Sequence, residues 1–420
     1  MSPIRASGRK AAIAFVLVVA VIDVMSMGII IPVLPLLIEE FAGSNAAAGW
    51  INGVFVALWA GMQFLASPLI GSLSDRFGRR PVILISCAGL ALDYVLMALA
   101  PDLWWLALGR IIAGVTTSSF TAVYAYMADI TPPEGRAKAF GLIGAAFGGG
   151  FILGPLLGGI LGELGPRAPF WAAAGLSGVT FLYGLFLLPE SLVPEKRMAF
   201  SWRRANPVGA LKLLRSHSEL TGLAVVNFLL YSAHHVFSAV YVLYAGYRFG
   251  WSAWEVGLLL AVVGALDMLV QGALVGPVVK RLGDRTTMIL GLLGGSLGIA
   301  AMGLAPTATL FALAILPNAL WGFAMPTLQS LMTRRVSESE QGQLQGANNS
   351  LASIAGIASP LFFGAVYSAT VQPGATPALA GLSFLIAAGV LLAGAALGWS
   401  VARRAGHAER LKLRRLEGRF

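Results

Sequence analysis

The stretch GSLSDRFGRRPV, residues 71–82, crowds Asp75, Arg76, Arg79 and Arg80 together between two long, almost unbroken apolar runs. Charge of that density between apolar runs marks a short polar turn joining two helices that cross a bilayer. A spanning helix needs about 20 mostly apolar residues, because the hydrocarbon core is about 30 Å thick. Composition agrees, since 57% of the 420 residues are hydrophobic and only 11% are charged. Mean hydropathy is +0.79, whereas a soluble domain is about one quarter charged. Apolar stretches of spanning length lie near 11–38, 48–72, 81–100, 102–127, 137–162, 168–188, 220–246, 253–279, 286–305, 307–332, 342–369 and 378–402. The chain therefore reads as an all-α membrane protein with twelve transmembrane helices. The first run is too long for a signal-peptide core and lacks a small-residue cleavage site, so it reads as a span. The lone Cys87 leaves no internal disulfide to form.

Of the 29 Lys and Arg residues, all but Arg110, Arg167 and Arg248 fall in the two tails and in alternate connections. Basic residues gather on the cytoplasmic side, which places both termini there. The net charge of +10 is then a matter of topology and calls for no nucleic acid. The basic tail RRAGHAERLKLRRLEGRF suits anionic lipid headgroups.

The longest connection separates spans six and seven. It divides the chain into a six-helix bundle over 1–188, a cytoplasmic linker over 189–219, and a second six-helix bundle with the basic tail over 220–420. A shift of 205 positions lays GPVVKRLGDR, 276–285, on GSLSDRFGRR, so that Gly71, Arg76, Gly78 and Arg80 recur as Gly276, Arg281, Gly283 and Arg285. The same shift carries Gly141, Pro155 and Gly159 onto Gly346, Pro360 and Gly364. One offset fitting two remote places implies two pseudo-symmetric bundles, the parallel repeat of one large class of secondary transporters. Their substrate site is expected between the halves, near the bilayer midplane.

The opening stretch then becomes the cytoplasmic turn between spans two and three. Gly71 and Gly78 are expected to permit the reversal. Asp75 is expected to meet a helix end or an arginine and to latch the cytoplasmic face, with Asp129 accepting the arginines of the turn. Pure topological anchoring by positive charge is the plainer alternative for the turn, and surface capping is the equal alternative for Asp129. In the second copy Lys280 stands where Asp75 stands in the first, so such a latch is asymmetric.

GSLSDRFGRRPV is similar to the signature turn of the major facilitator superfamily, and GGGFILGPLLGG in span five resembles that superfamily's antiporter motif. More narrowly, DVMSMGIIIPVLP, the run from Met62 to Pro101, GRIIAGVTTSSFTAVYAYMADIT, RFGWSAWEVG and EQGQLQG resemble the tetracycline/proton antiporters of Gram-negative bacteria, over roughly residues 20–370. The resemblance implies a proton-driven exporter in the bacterial inner membrane; no oligomer is implied, and a monomer is expected. Its drug substrate would be a tetracycline carried as a chelate with a divalent cation.

The charges within the spans carry their own argument. A charged side chain at the bilayer centre costs at least about 2.5–3.5 kcal/mol by insertion scales, so each should face a cavity or a partner. Asp23 and Asp93 lie roughly 16–18 Å into spans one and three at 1.5 Å per residue, and Asp267 is equally deep in span eight. Burial and neighbouring charge both change a carboxyl's hold on its proton, so these acids are candidates for proton coupling. Arg110, in span four, needs a carboxylate partner, for which Asp23 and Asp93 are the candidates. The resemblance matches it to the span-four arginine associated with proton transfer.

Gly150, Gly154 and Gly158 recur every fourth residue, and with Pro155 and Gly159 they form a smooth, bent helix face. Sealing the seam between the halves and plain helix packing both account for it. Gln63, Phe120, His234, His235, Gln271 and Asn318 are candidate substrate contacts, being polar or aromatic positions within apolar spans. Asn227, Gln329, Asn348, Asn349, Trp59, Phe237, Trp321 and Phe323 extend the set. No spacing supports a dedicated metal site, and no loop carries a nucleophile or phosphate motif, so neither a cofactor nor an enzyme is expected.

Two departures from the tetracycline pattern bear on the substrate. Gly295 stands where the family commonly has an acid in span nine, and Asp267 where it often has His in span eight. GVTTSSFTAV also replaces a run of Gly and Ala, placing Phe120 at an expected cavity wall. A proton-coupled importer of metabolites and a non-transporting receptor are the rival classes, and the direction of proton-driven flux separates them.

Overall fold

The computed structural model describes residues 6–117, 120–132, 135–198, 213–214, 218–337 and 340–417. Much of the linker, and the side chains of the basic C-terminal tail, lie outside the described residues, as do Ser118 and Ser119. Among the described residues there is no strand, and eleven helices are long and apolar enough to cross a membrane. The first seven are α1 (Val16–Ala42), α2 (Asn45–Phe77), α3 (Arg79–Ala98), α4 (Leu103–Ile130), α5 (Ala139–Gly162), α6 (Ala168–Leu187) and α7 (Leu220–Phe249).

The eighth, Ala253–Leu304, has 52 residues, about 78 Å at 1.5 Å per residue and more than twice the hydrocarbon thickness. It breaks at Gly283, whose φ of 76° and ψ of 161° are not helical. Two spans result, α8 (253–282) and α9 (284–304). With α10 (Ala308–Thr333), α11 (Gln343–Thr370) and α12 (Pro377–Val401) the total is the expected twelve.

Leu92 in α3 is 70% exposed, while its neighbour Asp93 is fully buried. A soluble helix does the reverse, and here the apolar surface faces lipid while the acid faces protein. Trp104, Phe186 and Leu304 are exposed in the same way.

The repeat is visible in the backbone. Gly78 has φ 106° and ψ 162°, a conformation that an L residue adopts only under strain, and Gly283 takes the matching one 205 positions later. Pro155 and Pro360 each lie inside a helix. Asp102 caps α4 by accepting from Trp104 N at 2.9 Å, and Thr307 caps α10 by accepting from Leu310 N at 3.3 Å. Both capped helices are interrupted midway: α4 ends its first segment at Thr116, and α10 passes through a tight 3-10 turn at Leu320–Phe323.

The opening stretch is more helical than expected. α2 runs on through Phe77 and α3 begins at Arg79, so the reversal is confined to Gly78. Gly71 takes no part in it, because it lies inside α2 and a Cβ there would meet nothing within 4 Å. A helix emerging into water keeps its backbone bonds, and charged residues solvate its end without needing a loop.

The chain forms two compact units, residues 1–206 with 240–265, and residues 207–239 with 266–420. In the first, Val82, Ile83, Cys87, Val123, Tyr126, Met127 and Ile143 form a buried apolar cluster. In the second, α9 lies along α10 and α12 through glycines such as Gly291 and Gly303, where a Cβ would meet Ala324 N at 2.7 Å and Gly381 O at 2.8 Å.

Candidate functional site

Within the spans of the first unit, Asp23, Asp93 and Arg110 are buried charged residues. Asp23 is 3% exposed, Asp93 0% and Arg110 8%. Both oxygens of Asp93, Oδ1 of Asp23 and Nε of Arg110 have no hydrogen-bond partner. α4 comes close because residue 109 is glycine: a Cβ there would lie 2.9 Å from Asp93 Oδ1. Asp93 and Arg110 are within electrostatic reach of each other, and Tyr94 feels both of them and Asp23. The expected ion pair is nevertheless absent, since among the described residues no carboxylate lies within 4.0 Å of Arg110. Its Nη2 instead donates to Met97 Sδ at 3.0 Å. A carboxyl held without a donor beside an unpaired arginine can change protonation state after a small movement, because neither charge is locked by a fixed partner.

The residues around Gly78 form a denser network. Arg79 donates from Nη1 to Asp75 Oδ1 at 2.5 Å and to Ser74 Oγ at 2.6 Å, and from Nε to Asp129 Oδ2 at 3.2 Å. Ser191 Oγ also donates to Asp129 Oδ2, at 3.1 Å. The expected meetings of Asp75 with an arginine and of Asp129 with the turn are thus both present, on one guanidinium. Arg80 donates to Leu185 O at 2.7 Å, and Arg76 lies exposed over the Phe77 ring at 5.1 Å.

Glu190, just past α6, was not singled out in the sequence. Its carboxylate accepts from the backbone N–H groups of Arg79 at 2.9 Å and Arg80 at 3.3 Å, at the positive end of α3. A Cβ at Gly78 would collide with that carboxylate.

The second unit carries a charge-inverted counterpart. Arg334 Nη2 lies 2.8 Å from Asp284 Oδ2, and a shift of 205 brings Arg79 onto Asp284 and Asp129 onto Arg334. The same two positions are paired in both copies with the signs exchanged.

The glycine face of α5 packs on α1 within the first unit. A Cβ at Gly154 would lie 2.7 Å from Met25 O, one at Gly150 would lie 2.8 Å from Val21 O, and one at Gly158 would collide with Ile29 O. Gly159 points elsewhere, toward Ala253 O and Gly257. Pro155 lies buried beside Gly28, where a Cβ would be 2.9 Å from Pro155 Cδ. Glycine is required here for backbone-to-backbone contact.

The candidate substrate residues divide between the units. In the first, Gln63 donates to Thr117 Oγ1 at 3.4 Å, and Phe120 packs on Phe147 with centroids 4.6 Å apart. In the second, His234 lies 5.6 Å from Trp321 and 6.1 Å from Phe237 between ring centroids, and His235 Nδ1 is 3.3 Å from Ser238 Oγ. Gln271 Nε2 donates to Asp267 Oδ2 at 2.7 Å. Asn318 is buried against Gly298 with its Oδ1 unpartnered. An amide chain links α7, α11 and α10: Asn227 donates to Asn348 at 3.1 Å, and Asn348 donates to Gln329 at 3.0 Å. No group of three or more His, Cys, Asp or Glu arranged to hold a metal is found among the described residues.

The sequence pattern of the Major Facilitator Superfamily matches residues 16–360. The tetracycline resistance protein of class C from Escherichia coli is 40% identical over 361 residues, covering 86% of this chain and 91% of that protein. The class G protein from Vibrio anguillarum is 39% identical, with 86% and 91% covered. Among solved structures, the human organic anion transporter MFSD10 superposes with a TM-score of 0.67 at 24% identity, over 95% of this chain and 100% of that one. The nucleoside transporter NupG gives 0.76 at 16%, over 93% and 98%. At those identities the two structures speak for the fold alone. The chain belongs to the Major Facilitator Superfamily, has the tetracycline resistance proteins among its relatives, and is a multi-pass membrane transporter of a small-molecule substrate, not an enzyme.

Proposed function

We propose that the protein is a proton-driven antiporter that exports tetracycline, carried as a divalent-cation chelate, across the bacterial inner membrane, with both termini in the cytoplasm. One observation carries the reading: proteins named for tetracycline resistance align at 33–40% identity over 84–86% of the chain. The geometry supports the proton half. Among the described residues Asp23 and Asp93 are buried acids without fixed partners, and Arg110 is within electrostatic reach of Asp93 without being locked to it in a pair. Proton binding at these acids and drug binding exclude one another, so proton uptake promotes drug release and inward proton flow drives outward drug flow. The network on Arg79, with Asp75, Asp129 and Glu190, holds the end of α3 in one arrangement and serves as the cytoplasmic gate. The lipid around the bundle acts as solvent, and the protein works as a monomer.

The test is accumulation of tetracycline with magnesium in everted membrane vesicles energised by a pH gradient. The expected result is accumulation that an uncoupler abolishes. Accumulation of another amphiphilic drug but not of tetracycline would overturn the substrate. Uptake in right-side-out vesicles driven by the gradient would overturn the direction.

A further inference from the structure

Midway along the helices of the second unit, three aromatic rings stand together, and one of them, His234, is within electrostatic reach of the Asp267 carboxylate. His234 is edge-on to Trp321 at 5.6 Å, and Phe237, about one helical turn further on, lies 6.1 Å from His234 and 6.2 Å from Trp321. The 3-10 turn Leu320–Phe323 that interrupts α10 carries Trp321, and Gly295 of α9 leaves the space that its ring fills. A Cβ at 295 would lie 2.9 Å from Trp321 Cγ and 3.1 Å from Cδ2. Any side chain at 295, an acid included, would displace the ring.

Gly322 does the same for the carboxylate, since a Cβ there would lie 2.9 Å from Asp267 Oδ1. The other oxygen, Oδ2, is held by Gln271 at 2.7 Å. Gln271 lies in the π-helical turn Val270–Leu274, a widened turn that re-aims the side chains it carries. Asp267 is within electrostatic reach of His234. Among the described residues no Lys or Arg comes within 4.0 Å of it.

Three considerations select the ligand. A mid-span carboxylate without a basic partner is costly, and a bound cation offsets that cost. Ring faces of Trp and Phe attract cations, most strongly when the cation is desolvated. His234 and Gln271 are exposed and Asp267 partly so, so the group is not packed over on every side. A metal ion is a poor fit, because it needs more ligands than Asp267 and His234 supply. A bulky organic cation needs only charge and π surface.

We propose that Asp267, Trp321, Phe237 and His234 form a recognition site for lipophilic organic cations, with Asp267 as counter-ion and the rings as wall. The proposal rests on the protein's being an exporter of amphiphilic drugs, and it adds a charge class and a location to that reading.

The test is equilibrium binding of tetraphenylphosphonium and of its oppositely charged isostere tetraphenylborate to the purified full-length protein in detergent. The expected result is saturable binding of the cation alone, weakened at least tenfold by Asp267→Asn and by Trp321→Leu, and retained by Asp267→Glu and Trp321→Phe. The conservative pair separates loss of the site from loss of the fold. Equal binding of both ions, or full cation binding by Asp267→Asn, would overturn the site. Tetracycline accumulation by the same wild-type preparation in vesicles is scored separately. Accumulation without cation binding removes only this proposal, and cation binding that depends on Asp267 without tetracycline accumulation removes only the substrate.

Discussion

Asp93 has both carboxylate oxygens buried without a hydrogen-bond partner among the described residues, one residue away from an exposed leucine on the lipid face. Burial at that depth is expensive unless the group's charge changes in use. Asp93→Asn keeps the shape and removes the titration. Gradient-driven drug accumulation should fall to background, with the protein still present in the membrane at normal levels, as quantitative immunoblotting would show. If Asp93→Asn and Asp267→Asn both left accumulation intact, the carboxylate part of the mechanism would be wrong. The depth of these acids was legible in the sequence, because depth is a matter of counting along a helix. The partner of Arg110 was not: Asp93 and Met97 are four residues apart on one face of α3, and only the structure shows that the guanidinium rests on the sulfur. The glycines divide in the same way. Gly158→Val forces side-chain atoms into the backbone of Ile29 and should cost about 1–3 kcal/mol or more. Gly144→Ala meets nothing within 4 Å and should leave the thermal unfolding midpoint unchanged or slightly raised.

At the scale of elements, one turn and its copy carry most of the exposed logic. Gly78 combines a positive φ with a neighbouring carboxylate, so Gly78→Ala suffers both backbone strain of about 1 kcal/mol or more and a collision with Glu190. Thermal unfolding of the purified protein should show it as a lowered midpoint, whereas substitution of the half-buried Gly165, with nothing within 4 Å, should show the strain alone. The pair Asp284–Arg334 offers a cleaner test. Asp284→Arg and Arg334→Asp should each reduce drug accumulation, and the double exchange, which gives the second copy the polarity of the first, should recover most of it. Failure of the double exchange to improve on both single variants would mean that the pair contributes nothing as a pair. The pair was within reach of the sequence, because the shift that aligns the glycines also aligns Arg79 with Asp284 and Asp129 with Arg334. Glu190 was not within reach, since its partners are backbone amides more than a hundred residues earlier in the chain.

The molecule as a whole is two units of common pattern built for lipid. The twelve spans and the repeat follow from hydropathy and from one offset, the signals least disturbed by tertiary packing. That residues 240–265 group with the first unit depends on contacts such as Gly159 against Ala253 and Gly257, which no spacing encodes. The aromatic wall was legible only as scattered residues, and the reason for Gly295 became visible once Trp321 was seen to fill its place.

Coupling is the central claim for the whole molecule, and proton movement itself reads it most directly. Tetracycline with magnesium, added to everted vesicles holding a steady acid interior, should provoke an immediate efflux of protons that is saturable in drug and absent in Asp93→Asn vesicles. Drug accumulation with no drug-evoked proton movement, or an equal proton signal from Asp93→Asn, would contradict proton-coupled export through the buried acids.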